Sequence, residues 1–417
     1  MDPLHKMYAG VAGYLDPSCT WRSVAEYLST VDRNTGPNVV FLVGHAALRC
    51  AVMGMSACEA TTEHIADMTR MTADAMAQGA WGLSTGLTYV PGCFSTTREL
   101  VQLTRAVSEL GGVYCTHMRD YGARTAEAIE EAASIGRAAG IPVHISHLQT
   151  VGPEGKNQSY QILHRLEELR DTGVDITFDS YPYAAGSSSL HALLPAWVQA
   201  DGYSTMLRRL ASERVRSRLR SEMPADSGVW SSTVVRTVAS RASQDHVGKT
   251  LLDIAKAEGQ HPVDVACDLC ASNDLMVSQV NFLGNEEDIE VFMRSRLQMF
   301  GTDGLHVSGN PHPRLWGTCA RVLAVYVRER RVLTLEEAVH KMTGAPANRL
   351  GLKDRGLVKQ DYAADLVVFD PDTVRDRATF DRGDLPADGI SHVFVNGVAA
   401  LEDGKLTGAL PGRVLRR

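Results

Sequence analysis

The 417-residue sequence predicts an α/β fold, a parallel barrel wall followed by a small all-β region, from three observations. Short apolar runs that suit strands covered on both faces alternate with amphipathic stretches of 12 to 17 residues. Chemistry-bearing residues stand at the C-terminal ends of several different runs, where barrels carry them. The texture changes at residue 357, after which short strands and turns replace the alternation. The alternation alone fits a doubly wound sheet equally well. The placement of the chemistry-bearing residues selects the TIM-type (β/α)8 barrel.

In chain order, residues 1–37 read as a loop and then a helix, because Trp21, Val24, Tyr27, Leu28 and Val31 recur at spacings of three and four. Strands follow at 38–45, 80–87, 113–117, 143–147 and 174–183, with helices at 62–78, 97–110, 123–139 and 159–172 between them. The regular beat breaks over 186–285, an insertion predicted to hold helices at 203–220, 251–258 and 263–272 and one short strand at 232–238. An insertion of that size is a candidate lid or specificity element. A sixth strand approaches Asp303 through Leu297, Met299 and Phe300, and helices at 319–330 and 334–342 close the unit. The barrel region is thus 1–356, with a small β domain at 357–417.

The net charge of −7 argues against a nucleic-acid surface or a membrane-facing basic patch. The chain carries no apolar run of bilayer length, and the opening lacks the pattern of a secretory signal. Eight scattered cysteines then favour reduced thiols and a cytoplasmic location. Cys267 and Cys270 form the one close pair, on a helical pattern with no second half, so a zinc ribbon is not expected.

Within 143–149, period-two alternation places Ile145, His147 and Gln149 on one face and turns His144 to the other, behind the site or against a helix. Cys115 and His117 share a face by the same rule. Two histidines at successive strand ends, with Asp179 and Asp303 on later ones, suit a borderline metal, zinc above all. Tyr181 and Tyr183 are expected on one face with Asp179, either as packing or as phenols aimed at a substrate carboxylate or oxyanion. Arg314 suits bidentate carboxylate recognition or a surface ion pair, and Asp303 a catalytic role or a turn cap.

The stretches LVGHAALRCAVMG, GAWGLSTGLTYVPG, GGVYCTHMRD, IPVHISHLQTVG, FDSYPYAAGSS, GTDG, HPRLWGT, KMTGAPANRLGL and AADLVVFDPDTV, in that order, resemble the N-acyl-D-amino-acid deacylase branch of the metal-dependent amidohydrolases. The resemblance implies a (β/α)8 barrel with a small β domain, and zinc-assisted hydrolysis of an N-acyl amide to a D-amino acid and a carboxylate. It implies His117 and His147 as metal ligands and Asp303 as the catalytic aspartate, itself able to touch metal. Arg314 and a tyrosine, Tyr183 ahead of Tyr181, match the contacts to the substrate carboxylate. Gln149 stands where many relatives carry a substrate-contacting lysine.

No H-x-H occurs in the sequence, although the family opens its barrel with one and follows it with a metal-binding cysteine. The resemblance therefore implies a barrel lacking its first two strands, an incomplete site for one or two zinc ions, and a start internal to a longer protein. It leaves two other readings: an inactive or binding-only relative, and a cyclic amidase of the hydantoinase or dihydroorotase kind. For the chain as given, weak zinc binding and little deacylase activity are expected.

Overall fold

The computed structural model describes residues 3–13, 18–32, 34–306 and 310–417. Part of the glycine-rich loop after Asp303, residues 307–309, lies outside them. Five parallel strands lead: β1 (Leu42–Gly44), β2 (Gly82–Gly86), β3 (Val113–His117), β4 (Val143–Ile145) and β5 (Ile176–Ser180). The insertion contributes β6 (Gly186–Ser189), β7 (Thr233–Val238) and β8 (Val277–Asn281), and the wall resumes with β9 (Gln298–Phe300). The C-terminal region adds β10 (Leu366–Phe369), β11 (Ile390–Val395), β12 (Val398–Glu402) and β13 (Lys405–Leu406).

The wall runs β1-β2-β3-β4-β5-β9, every pair parallel. Among the described residues β1 and β9 do not pair with each other, so the wall has two bare edges. Helices Thr97–Glu109, Thr125–Ala139 and Ser159–Asp171 cover its outer face. Register assigns the two faces. Leu83, Tyr114, Val143 and Ile176 align across the strands and are buried in the helix-facing core. Ser84, Cys115, His144 and Thr177 align on the inner face.

That register corrects the expectation for His144. It lies on the inner face with Cys115 and His117, while Ile145 faces the helices. The alternation fails because β4 ends at Ile145, and His147 sits in a turn at φ +39°, outside any strand geometry.

The insertion has its own apolar core, which includes Trp230, Leu251, Val263 and Val277. It holds three antiparallel strands in the order β6-β8-β7 where one was expected. The sequence of β6, Gly-Ser-Ser-Ser, has little strand propensity and forms only because β8, some ninety residues later in the chain, pairs with it. The expected helix at 203–220 is two, Tyr203–Leu210 and Glu213–Glu222. The first residues, read as loop, include the helix Pro3–Ala12, whose Met7 is buried in the insertion's core.

The four C-terminal strands form an antiparallel sheet in the order β10-β11-β12-β13. The tail returns to the wall: Val39 and Val414 form a bridge, and the Gly412 amide donates to the Thr35 carbonyl over 2.9 Å. A side chain at Gly412 would meet the Pro37 carbonyl oxygen at 2.1 Å, so only glycine allows this approach. Among the described residues no helix is long and apolar enough to cross a membrane.

Candidate active site

The C-terminal ends of β3, β4, β5 and β9 converge on one mouth. His117 is the last residue of β3. Its Nδ1 faces His147 Nε2 at 3.0 Å, and its Nε2 lies 2.8 Å from Thr88 Oγ1. Tyr89 and Tyr121 flank the ring, their centroids 4.9 and 5.0 Å away. Burial, then the neighbouring His147 and the Arg314 charge, push the His117 pKa well down, so the ring is neutral at pH 7. Thr88, Tyr89 and Tyr121 were not singled out from sequence; their only signal was a position just beyond a strand end in GLTYVPG and MRDYG.

Beneath the pair lies Asp179. Its Oδ1 accepts the His147 backbone N–H over 2.8 Å, and its Oδ2 lies 2.9 Å from His144 Nε2. Burial works to raise the Asp179 pKa, but the hydrogen bond and charge of His144, with the charge and backbone N–H of His147, outweigh it and hold the carboxyl low.

The second half of the mouth is built around Arg314, only 2% exposed, whose Nη1 pairs with Asp303 Oδ2 at 2.8 Å. Asp303 follows β9 at φ +44° and is 35% exposed. The guanidinium lies 4.7 Å over the Tyr181 ring, and Gln149 Nε2 donates to Tyr181 Oη over 2.9 Å. His312 Nδ1 accepts the Arg314 amide over 3.0 Å, which seats the arginine at the start of its helix. Tyr89 ties the halves together: its ring packs on His117, and its phenol feels the charges of both Asp303 and Arg314.

Tyr183, the tyrosine expected foremost at the substrate, is placed elsewhere. Its Oη points to the Pro313 carbonyl at 3.5 Å, its ring meets His312 edge-on, and Arg321 covers it at 5.0 Å. The chain turns at Pro182, with the Tyr183 amide donating to the Tyr181 carbonyl, so the two tyrosines do not continue the alternation of β5. Tyr181 alone reaches Arg314.

The imidazole pair fits a metal ion in two positions. Two nitrogens on one tetrahedral zinc stand roughly 3.3 Å apart, close to the separation here. His147 Nδ1, on the side of the ring away from His117, is buried with no hydrogen-bond partner. Among the described residues no three His, Cys, Asp or Glu side chains gather around one point, and Asp303 is turned to Arg314 instead of to the histidines.

Comparison with known proteins agrees with this architecture. Residues 255–400 match the model of an amidohydrolase family. The D-aminoacylase of Alcaligenes xylosoxydans xylosoxydans is 36% identical over 94% of this chain and 73% of its own length. The chain belongs to the D-aminoacylase family of amidohydrolases. A D-aminoacylase structure described by its binuclear metal centre superposes with a TM-score of 0.82 at 33% identity, over 100% of this chain and 84% of that one. The N-acyl-D-glutamate deacylase of Bordetella bronchiseptica, solved with zinc and a phosphonate mimic of the tetrahedral intermediate, gives 0.80 at 31% identity, over 98% and 78%. The fold is therefore that of the D-aminoacylases, and the chain is a hydrolase of amide bonds whose relatives depend on metal.

Proposed function

We propose that this D-aminoacylase relative hydrolyses N-acyl-D-amino acids, with zinc held by His117 and His147. The observation that carries the reading is one mouth holding two facing imidazoles on one side and a buried arginine paired with a strand-end aspartate on the other. Bound zinc would polarise the acyl oxygen and lower the pKa of water towards roughly 7.

The protein's own groups do the rest. Arg314 is nearly buried, and its Nε–H has no hydrogen-bond partner, a donor free to receive the substrate α-carboxylate. Tyr181 and Gln149 border that position and orient the amide. Asp303 takes the proton of the attacking water and returns it to the leaving nitrogen as the C–N bond breaks, yielding a carboxylate and a free D-amino acid. A cytoplasmic location is proposed from the eight cysteines, all free thiols.

A second reading, a chain that binds substrate with little turnover, is favoured by the missing third metal ligand among the described residues. A zinc-supplemented assay on N-acetyl-D- and N-acetyl-L-amino acids separates the two. The deacylase reading expects turnover of the D series only, with Asp303→Ala lowering kcat by about 10²–10⁴-fold. Substrate binding without turnover supports the second reading, and equal turnover of both series overturns the first.

A further inference from the structure

We propose that Asp179, backed by His144, is a positioning residue that holds His147 where its imidazole meets His117. The inference rests on reading His117 and His147 as the metal-holding pair. Three independent features carry it.

His147 is not glycine, yet its φ of +39° lies in the left-handed region. Such a backbone is strained and persists only where its surroundings over-determine it. The Asp179 carboxylate supplies the restraint, because Oδ1 accepts the N–H of that same residue over 2.8 Å. Next door, the Leu148 amide donates to the Asp179 carbonyl over 2.7 Å, so one residue of β5 binds both peptide units of the turn.

The carboxylate is itself held from behind. His144 Nδ1 lies 2.9 Å from Thr177 Oγ1 and its Nε2 lies 2.9 Å from Asp179 Oδ2. The ring bridges the Thr177 hydroxyl and the carboxylate, with Nε2–H donating to Asp179 Oδ2. A strand-borne histidine and threonine thus fix which way the carboxylate faces.

It is also wedged from the front. A Cβ on Gly301 would stand 2.6 Å from Asp179 Oδ1 and 2.9 Å from its Cγ. Gly301 opens the loop that carries Asp303, so the Asp179 carboxylate fills the space between the His147 turn and the Asp303 loop and sets their spacing.

The test compares the full chain with Asp179→Ala and Asp179→Asn. Cobalt(II) affinity is measured by competition with a chromophoric chelator, and the His147 ring signals by ¹⁵N-histidine NMR without metal. The alanine variant is expected to bind cobalt about 10–100-fold more weakly and to shift the His147 signals. The asparagine variant, whose amide oxygen still accepts the His147 N–H and whose NH2 can donate to His144 Nε2 once that ring carries its proton on Nδ1, is expected to recover most of both. Unchanged affinity and unshifted signals in the alanine variant overturn the proposal, as does equal damage in both variants with loss of cooperative melting. If the alanine variant does not fold, Gly301→Ala, which presses on the same carboxylate, replaces it under the same criteria. A wild-type chain that binds no cobalt overturns the metal reading separately, and the ring signals then decide the positioning role alone.

Discussion

Arg314 shows how much one side chain must reconcile. Its charge is almost wholly removed from water and is balanced by one carboxylate, by the face of Tyr181, and by a long contact from Nη2 to the Ser187 carbonyl at 3.4 Å. Lysine has the charge but no planar fork, so it cannot hold Asp303 and a substrate carboxylate together. Arg314→Lys should therefore raise KM for the N-acyl-D-amino acid by about 10–100-fold, the worth of a charge-assisted hydrogen bond. The effect on kcat should be smaller, because the ammonium still neutralises Asp303. Steady-state kinetics separate the two constants; a fall confined to kcat would move Arg314 from binding to chemistry.

At the scale of elements, β9 carries the Asp303 loop and is tied down from outside by Lys341, whose ammonium donates to the carbonyls of Ser295 at 2.5 Å and Gln298 at 3.2 Å. Burial pushes the Lys341 pKa down from 10.5 to about 8. The sign follows from linkage. Between the two values the unfolded chain binds the proton that the folded chain has lost, so stability rises with pH through that window. The shift corresponds to at most about 3 kcal/mol. Chemical denaturation of wild type should show that rise from pH 8 to 10.5, and Lys341→Met should flatten it. An identical slope in both proteins would assign the rise to other groups.

The same elements show what the sequence made legible. Period two worked inside β3, where Cys115 and His117 share the inner face, because the backbone there is a true strand. It failed one step beyond β4 and β5. His147 leaves the strand at positive φ and Tyr183 follows a proline turn, so extending the alternation sent His144 outward and Tyr183 inward. Such exits depend on what grips them, here Asp179 and its distant partners, and no local pattern records that grip. The strands β6 and β8 escaped notice for a related reason, since their pairing is non-local and β6 is made only of glycine and serine.

For the whole molecule, the feature with the widest consequence is the bare pair of edges at β1 and β9. An unpaired edge leaves backbone donors and acceptors open to another strand, but at β9 Gln298 and Met299 are buried and the Gln298 carbonyl already accepts from Lys341. Two features blunt the hazard: both edge strands are only three residues long, and the C-terminal tail pairs with Val39 just ahead of β1. The balance predicts weak, reversible self-association. Sedimentation velocity over a hundredfold range of protein concentration should show a weight-average mass that grows with concentration and falls back on dilution. Leu42→Lys places a charge on the β1 edge, the device natural sheets use to repel added strands, and should suppress the association while leaving the helix-facing core of Val43 and Leu83 intact. A mass that stays monomeric throughout would mean that the short edges are protection enough. Association that persists in Leu42→Lys would shift attention to the half-exposed C-terminal sheet, where Val367, Val398 and Leu406 offer apolar surface.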